Sequence, residues 1–273
     1  YEFYLKAKHK YEKRENTYDT EIARGLLNKA IELDDNLISA KNLLGATYMQ
    51  MGDYDEAMEI YTPVLKQAEE LGDKNGMGYS LASIGAVHSS KGDFESALDC
   101  QERALAISEE IGDKSAIGIS LTVIGLGYKI KGDLATALDC YDRSLTIQEE
   151  LGDKFGMGAS LGNIGNVHYT KGDYDTALDF HERALVIAEE IGNKTAIRSS
   201  LTLIGMIHYY KGEYEKATEH LEKSLSIQTE IELKGIELET TTYLYLSYKH
   251  LGKDYDEKEI HTIMEDTENI DFE

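Results

Sequence analysis

The side chains best able to do chemistry in this chain are its histidines, its two cysteines and its paired glutamates. His88, His168 and His208 lie at intervals of 80 and 40 residues and invite a metal reading. At the equivalent positions, however, stand Tyr48, Tyr128 and Tyr248, so the slot selects a flat, half-polar ring. No HExxH and no Cys/His cluster has ligand spacing. Cys100 and Cys140 are also 40 apart. If they occupy equivalent places on successive helices, stacking at about 10 Å exceeds the ~7 Å reach of a disulfide. They read as small apolar fillers. Glu-Glu pairs at 69–70, 109–110, 149–150 and 189–190 resemble catalytic carboxylates in type. Their recurrence points instead to a solvated helix edge, although a helix C-terminus mildly disfavours negative charge. No Gly-rich phosphate loop and no nucleophile motif is present. The residues therefore predict no enzyme, no cofactor and no bound metal.

What must position these residues is a repeat. Gly52, Gly92, Gly132, Gly172, Gly212 and Gly252 are each 40 apart, as are Gly45, Gly85, Gly125, Gly165 and Gly205, and Ala57, Ala97, Ala137, Ala177 and Ala217. Leu/Ile-Gly-Asp/Asn-Lys recurs at Leu71–Lys74, Ile111–Lys114, Leu151–Lys154 and Ile191–Lys194, and decays at Ile231–Lys234. Periods of this length signal solenoids, propellers or arrays. Within a period, Leu81, Ile84, Val87 and His88 form one helical stripe, and Phe94, Ala97, Leu98, Ala104, Leu105 and Ile107 form another. Asp53, Asp93, Asp133 and Asp173 are placed to cap the second helix, each after a Gly suited to ending the first. Gly72, Gly112, Gly152 and Gly192 repeat the punctuation between units.

Each unit is thus helix A, turn, helix B, turn. The predicted units are 1–36, 37–74, 75–114, 115–154, 155–194, 195–234 and 235–273 of a single array, the last a capping repeat in which Tyr245 replaces the helix-A Gly. The first is expected to carry a longer polar link around Glu15–Thr20. Pro63 falls inside helix B of the second, and the reading predicts a bend or break just before it. Recurring Gly inside a helix disfavours it by about 1 kcal/mol each, so Gly85 and its equivalents are expected at tight contacts. Gly125→Leu is expected to overpack the array.

Composition narrows the partners. The formal net charge of the 273 residues is −23, which opposes binding to nucleic acid or anionic membranes and suits a basic protein or peptide. No apolar run approaches the ~18 residues of a membrane span. Two cysteines make no disulfide framework, so a cytoplasmic setting is expected. The opening at Tyr1 suggests a piece of a longer protein.

Leu81, Ile84-Gly85, His88, Ala97 and Ala104, with Leu161, Ile164-Gly165, His168, Ala177 and Ala184, resemble the tetratricopeptide repeat. Leu33-Asp34-Asp35-Asn36 is similar to the family's inter-repeat turn, with Asp35 where Pro is usual. The 40-residue unit is longer than the usual ~34, and looks like those of spindle-orientation adaptors, kinesin light chains and bacterial signalling proteins. Tyr1–Ala7 looks like the start of repeat regions attached to bacterial nucleotide cyclases or response regulators.

The resemblance implies an all-α, right-handed superhelical solenoid of helical hairpins whose A helices line a concave groove. Carried onto this sequence, the groove residues are Tyr79, Ser83 and Ala86; Ile119, Val123, Leu126, Lys129 and Ile130; Asn163, Asn166 and Tyr169; Leu203, Met206, Tyr209 and Tyr210; and Tyr243. Asn163 and Asn166 share a helix face, and their amides can both donate to and accept from a peptide backbone. Lys129 could meet a carboxylate but is not the two-cation clamp that some family members use for acidic chain ends. The expected function is a protein-interaction scaffold. The alternatives are a regulatory or sensor region of a larger signalling protein, such as a nucleotide cyclase or transcription regulator, and self-association through the repeat ends, where Tyr1, Phe3, Tyr4 and Leu5 are apolar.

Overall fold

The computed structural model describes residues 1–14, 16–230 and 237–254. The decayed phrase at Ile231–Lys234 and most of the predicted capping repeat lie outside them. The described residues form thirteen helices and no strand. The chain divides into two compact units, Tyr1–Gly132 and Asp133–Glu273.

The first unit holds α1 (Glu2–Glu12), α2 (Thr17–Leu33), α3 (Ile38–Met51), α4 (Tyr54–Leu71), α5 (Lys74–Ser90), α6 (Phe94–Ile111) and α7 (Lys114–Ile130). Each packs on the next in sequence, and the A helix α3 also touches α5. The second unit holds α8 (Leu134–Leu151), α9 (Lys154–Thr170), α10 (Tyr174–Glu190), α11 (Lys194–Tyr210), α12 (Tyr214–Glu230) and α13 (Glu237–Leu251), again packed successively. Both units are stacks of antiparallel helical hairpins, in which every hairpin meets its neighbours and little else.

The turns follow the expected punctuation. Gly92 has φ 80°, and the Asp93 N–H donates back to the His88 carbonyl, closing the end of α5. The Asp93, Asp133 and Asp173 carboxylates accept from the N–H three residues on. Asp73, Asp113, Asp153 and Asn193 do the same between units. Ser or Thr three residues on holds the Asp93, Asp133 and Asp173 carboxyls below their ordinary range. Asp53 differs: it makes no side-chain cap and faces Arg24 at 3.4 Å.

The recurrent glycines sit under a helix-B side chain. A Cβ on Gly45 would lie 2.5 Å from the Tyr61 ring, on Gly165 2.8 Å from His181, and on Gly205 2.6 Å from Leu221. On Gly85 it would lie 3.0 Å from the Ala97 carbonyl oxygen. Gly125 is buried. One residue of helix B, sixteen positions on in each of these three closest pairs, is therefore a knob over bare helix-A backbone.

Two expectations need correction. The polar link of the first unit is shorter than expected: Asn16 caps α2 by accepting from the Asp19 N–H, and Thr17–Thr20 is already helical. α4 is not broken at Pro63 but runs continuously from Tyr54 to Leu71. Pro63 leaves the Glu59 carbonyl without its usual donor, yet Tyr61 and Val64 on either side are buried and anchor the helix.

Candidate functional site

The chemistry-bearing residues of the framework are accounted for by structure. His88, His168 and His208 each set Nδ1 against a carboxylate at the start of the following helix: Asp93 at 3.2 Å, Asp173 at 3.1 Å and Glu213 at 2.9 Å. In the same slot the Tyr128 and Tyr248 hydroxyls donate to Glu102 at 3.0 Å and Glu222 at 2.6 Å on the preceding helix. Tyr48 instead lies under the Arg24 guanidinium at 3.8 Å. Cys100 and Cys140 are buried and in no disulfide, and burial pushes the Cys100 thiol up, away from the reactive thiolate.

The glutamate pairs acquire a role that the sequence reading lacked. Lys74 at the start of α5 meets Glu110 near the end of α6. Lys154 meets Glu190 at 2.8 Å in the same way across α9 and α10. Each pair ties the free ends of one hairpin and offsets the negative charge at a helix C-terminus. The lysine of the other turn reaches the preceding hairpin: Lys91 pairs with Asp55, and Lys211 with Asp175 at 2.5 Å.

The predicted groove residues fall on both units. In the second, Asn163 and Asn166 are half-buried on α9, and among the described residues neither side-chain amide has a hydrogen-bond partner. One turn further, Tyr169 begins an aromatic belt. Its ring is 6.0 Å from Tyr210, edge-on. Tyr210 stacks on Tyr174 at 5.4 Å, and its hydroxyl lies 2.5 Å from that of Tyr243. Tyr209 meets Tyr243 at 5.3 Å and Tyr214 at 5.7 Å, and Tyr214 stacks on His250 at 4.2 Å. Burial, reinforced by neighbouring tyrosines, raises the Tyr169 and Tyr243 phenols. Sequence reasoning missed Tyr174, Tyr214 and His250. The signal was available for the first two, since Tyr54, Phe94, Tyr174 and Tyr214 all open a helix B.

Met206 is a correction. It is only 2% exposed, whereas Leu126 at the equivalent place is 44% exposed. Its long, unbranched side chain is drawn into an interior where Ile204 and Ile207 are also buried. It does not line an open face.

In the first unit Val123, Leu126 and Ile130 are exposed and Lys129 is half-buried on α7, with no carboxylate partner for Lys129 among the described residues. A trough of about 520 Å³ lies between α5 and α7, lined by Tyr79, Ala82, Ser83, Ala86, Ile119 and Val123 among others. Beside it a cavity of about 410 Å³ is lined by Tyr4, Lys8, Tyr11, Glu12, Asp73 and Tyr79 among others. Tyr79 belongs to both.

Stacked helical hairpins with a tight glycine contact in helix A and capped turns define a class, the α-helical repeat proteins. The tetratricopeptide repeat family model matches residues 36–110, 116–190 and 156–230, and the chain belongs to that family. Solved structures agree in fold. BtubC from P. vanneervenii is 19% identical, with TM-score 0.69, covering 79% of this chain and 91% of that one. A signal transduction ATPase with a tetratricopeptide repeat sensor, from Pyrococcus horikoshii, is 19% identical with TM-score 0.75. The match covers 97% of this chain and 44% of that one. The apo form of RapI is 16% identical, with TM-score 0.72, covering 97% and 98%. No curated protein sequence matches the chain. Among the described residues no helix is long and apolar enough to cross a membrane.

Proposed function

We propose that the chain is a non-catalytic interaction scaffold that holds a peptide or protein segment on the faces of its A helices. The observation that carries this reading is a division of labour along those helices. Positions that recur, such as Leu161, Ile164 and Gly165, are buried in packing. Positions that vary, Met206 apart, stay open or half-open, and among them the amides of Asn163 and Asn166 stand beside the Tyr169–Tyr210–Tyr243 belt. Tyrosines ordered by one another lose little entropy when a partner arrives. The net charge of −23 favours a basic segment over nucleic acid or an anionic membrane. Two buried cysteines, neither in a disulfide, accord with a cytoplasmic setting.

A regulatory or sensor role within a larger signalling protein is the second reading. It is favoured by the likeness to the repeat sensor of the archaeal ATPase, of which this chain spans less than half. Self-association through the repeat ends, where Tyr1 and Leu5 are exposed, is a third, checked by light scattering against concentration.

The test is capture of partners from source cells by the wild type and by the double variant Asn163→Ala/Asn166→Ala. The reading expects the double variant to lose the principal partner while its melting temperature is unchanged. Equal retention by both proteins removes the α9 face as the site.

A further inference from the structure

The face of α7 differs in kind from that of α9. Ile119, Val123, Leu126 and Ile130 are 61%, 36%, 44% and 49% exposed. They follow one another at four, three and four residues, the spacing of a seam between two helices. At the same places α5 has Tyr79, Ser83, Ala86 and Ser90, and α9 has Ala159, Asn163, Asn166 and Thr170. Scattered exposed aliphatics are ordinary on a protein surface, but four in a line along one helix are a docking stripe.

The chemistry of the stripe selects the shape of its occupant. An extended segment needs donors and acceptors for its backbone N–H and C=O groups, and four aliphatic side chains offer none. A helix satisfies its own backbone and brings only side chains to the contact. Its anchors also keep step. Eleven residues of α7 span about 16.5 Å at 1.5 Å per residue, as do eleven residues of a second helix. Alternate side chains of a strand need about 20 Å for the same four anchors. The trough in front of Ile119 and Val123 is bounded on α5 by small side chains, Ala82, Ser83 and Ala86, which leave room for a helix to approach.

Charge selects the occupant's other face. In the trough's own lining Lys74 and Asp113 balance, and Tyr79 joins it to the neighbouring cavity, where Lys8 is the only positive group against Glu12 and Asp73 in the lining. Lys8 lies 3.9 Å from Glu12, which leaves Asp73 in excess. The same unit already seats guanidinium groups on tyrosine rings, Arg14 over Tyr11 at 4.1 Å and Arg24 over Tyr48 at 3.8 Å.

We propose that α7 and the α5–α7 trough seat one amphipathic helix of a partner protein, with a Leu/Ile/Val/Met seam and a Lys/Arg-rich polar face. This rests on the scaffold reading above and assigns its first unit a helical guest, distinct from the backbone-bonding face on α9.

The probe is a designed peptide of about three heptads, with Leu at the seam positions and Lys and Gln elsewhere. It is compared with an isomer of the same composition whose Leu residues alternate, and with a version carrying Glu for Lys. Methyl NMR of the full chain is expected to show shifts at Ile119, Val123, Leu126 and Ile130, while circular dichroism shows the peptide gaining helix. Leu126→Asp, an exposed position whose fold is checked by melting, is expected to weaken binding at least about tenfold, as is the Glu peptide. Equal binding of the alternating isomer overturns the proposal, as does the absence of saturable binding at millimolar peptide. Shifts confined to the Asn163, Asn166 and Tyr169 face, without helix gain, also overturn it but leave the scaffold reading standing.

Discussion

At the scale of single residues, the glycine contacts make opposite predictions for two neighbours on one helix. Gly165→Ala places a methyl 2.8 Å from the His181 ring, and overpacking of about 1–3 kcal/mol outweighs a helix-propensity gain of at most about 1 kcal/mol. Gly162 has nothing within 4 Å, so Gly162→Ala keeps the gain and raises stability by about 0.5–1 kcal/mol. Urea unfolding of the two variants checks the contrast. His181 itself is 1% exposed, and burial lowers its pKa from 6.5 to about 4. The folded chain holds the neutral ring, so this contribution is fully present above pH 6.5. It is lost as the pH falls towards about 4, because the unfolded chain takes up the proton first. At 1.36 kcal/mol per pH unit the loss is on the order of 3 kcal/mol. His181→Tyr, the residue found at the equivalent Tyr61 and Tyr141, is expected to flatten the stability profile between pH 6.5 and 4. An unchanged acid limb in pH-dependent unfolding contradicts this. The glycine slots were legible because they recur. The knobs above them were not, since Tyr61, Gln101, His181 and Leu221 have no residue type in common.

At the scale of elements, helix placement followed from apolar spacing and from the Gly-Asp punctuation, both of which are local. The errors came where the outcome depends on tertiary support. The predicted link around Glu15–Thr20 lost most of its length to α2, whose N-terminus Asn16 fixes. Pro63 was expected to bend or break α4; the helix is not broken there, and Tyr61 and Val64 on either side are buried. The Glu-Glu pairs had no account in one dimension because the lysines that meet Glu110 and Glu190 stand 36 residues away. Such exposed pairs contribute about 0–1 kcal/mol each, so they set register more than stability. α1 is the weakly held element: Ala7 is its one fully buried residue, whereas α5 buries Ser80, Leu81, Ile84, Gly85 and Val87. Hydrogen exchange is expected to open α1 well before α5, through local fraying and not global unfolding. Equal protection of the two helices contradicts it.

At the scale of the molecule, the forty-residue period announced a repeat array, helical apolar spacing made its unit a hairpin, and the recurring Leu, Gly and Ala positions pointed to the family. The candidate site was half readable. Register placed Asn163, Asn166, Tyr169, Tyr210, Val123 and Leu126 at accessible positions, all exposed or half-buried in the structure. It also placed Met206 there, and no pattern in the sequence distinguishes it from Leu126. The fixed reach of the ion pairs carries one more consequence. Lys74–Glu110 and Lys154–Glu190 span the same 36 positions, and the caps and positive-φ glycines recur on the same lattice. Removing residues 75–114 would join Leu-Gly-Asp-Lys to Ser115 as naturally as to Asn75. The shortened chain is expected to fold cooperatively with the helical content per residue unchanged. A deletion half as long would fuse helices of opposite direction and leave a molten product. Genes of this kind can therefore lengthen or shorten by whole duplicated modules during inheritance, trying out new combinations of guests without rebuilding the frame.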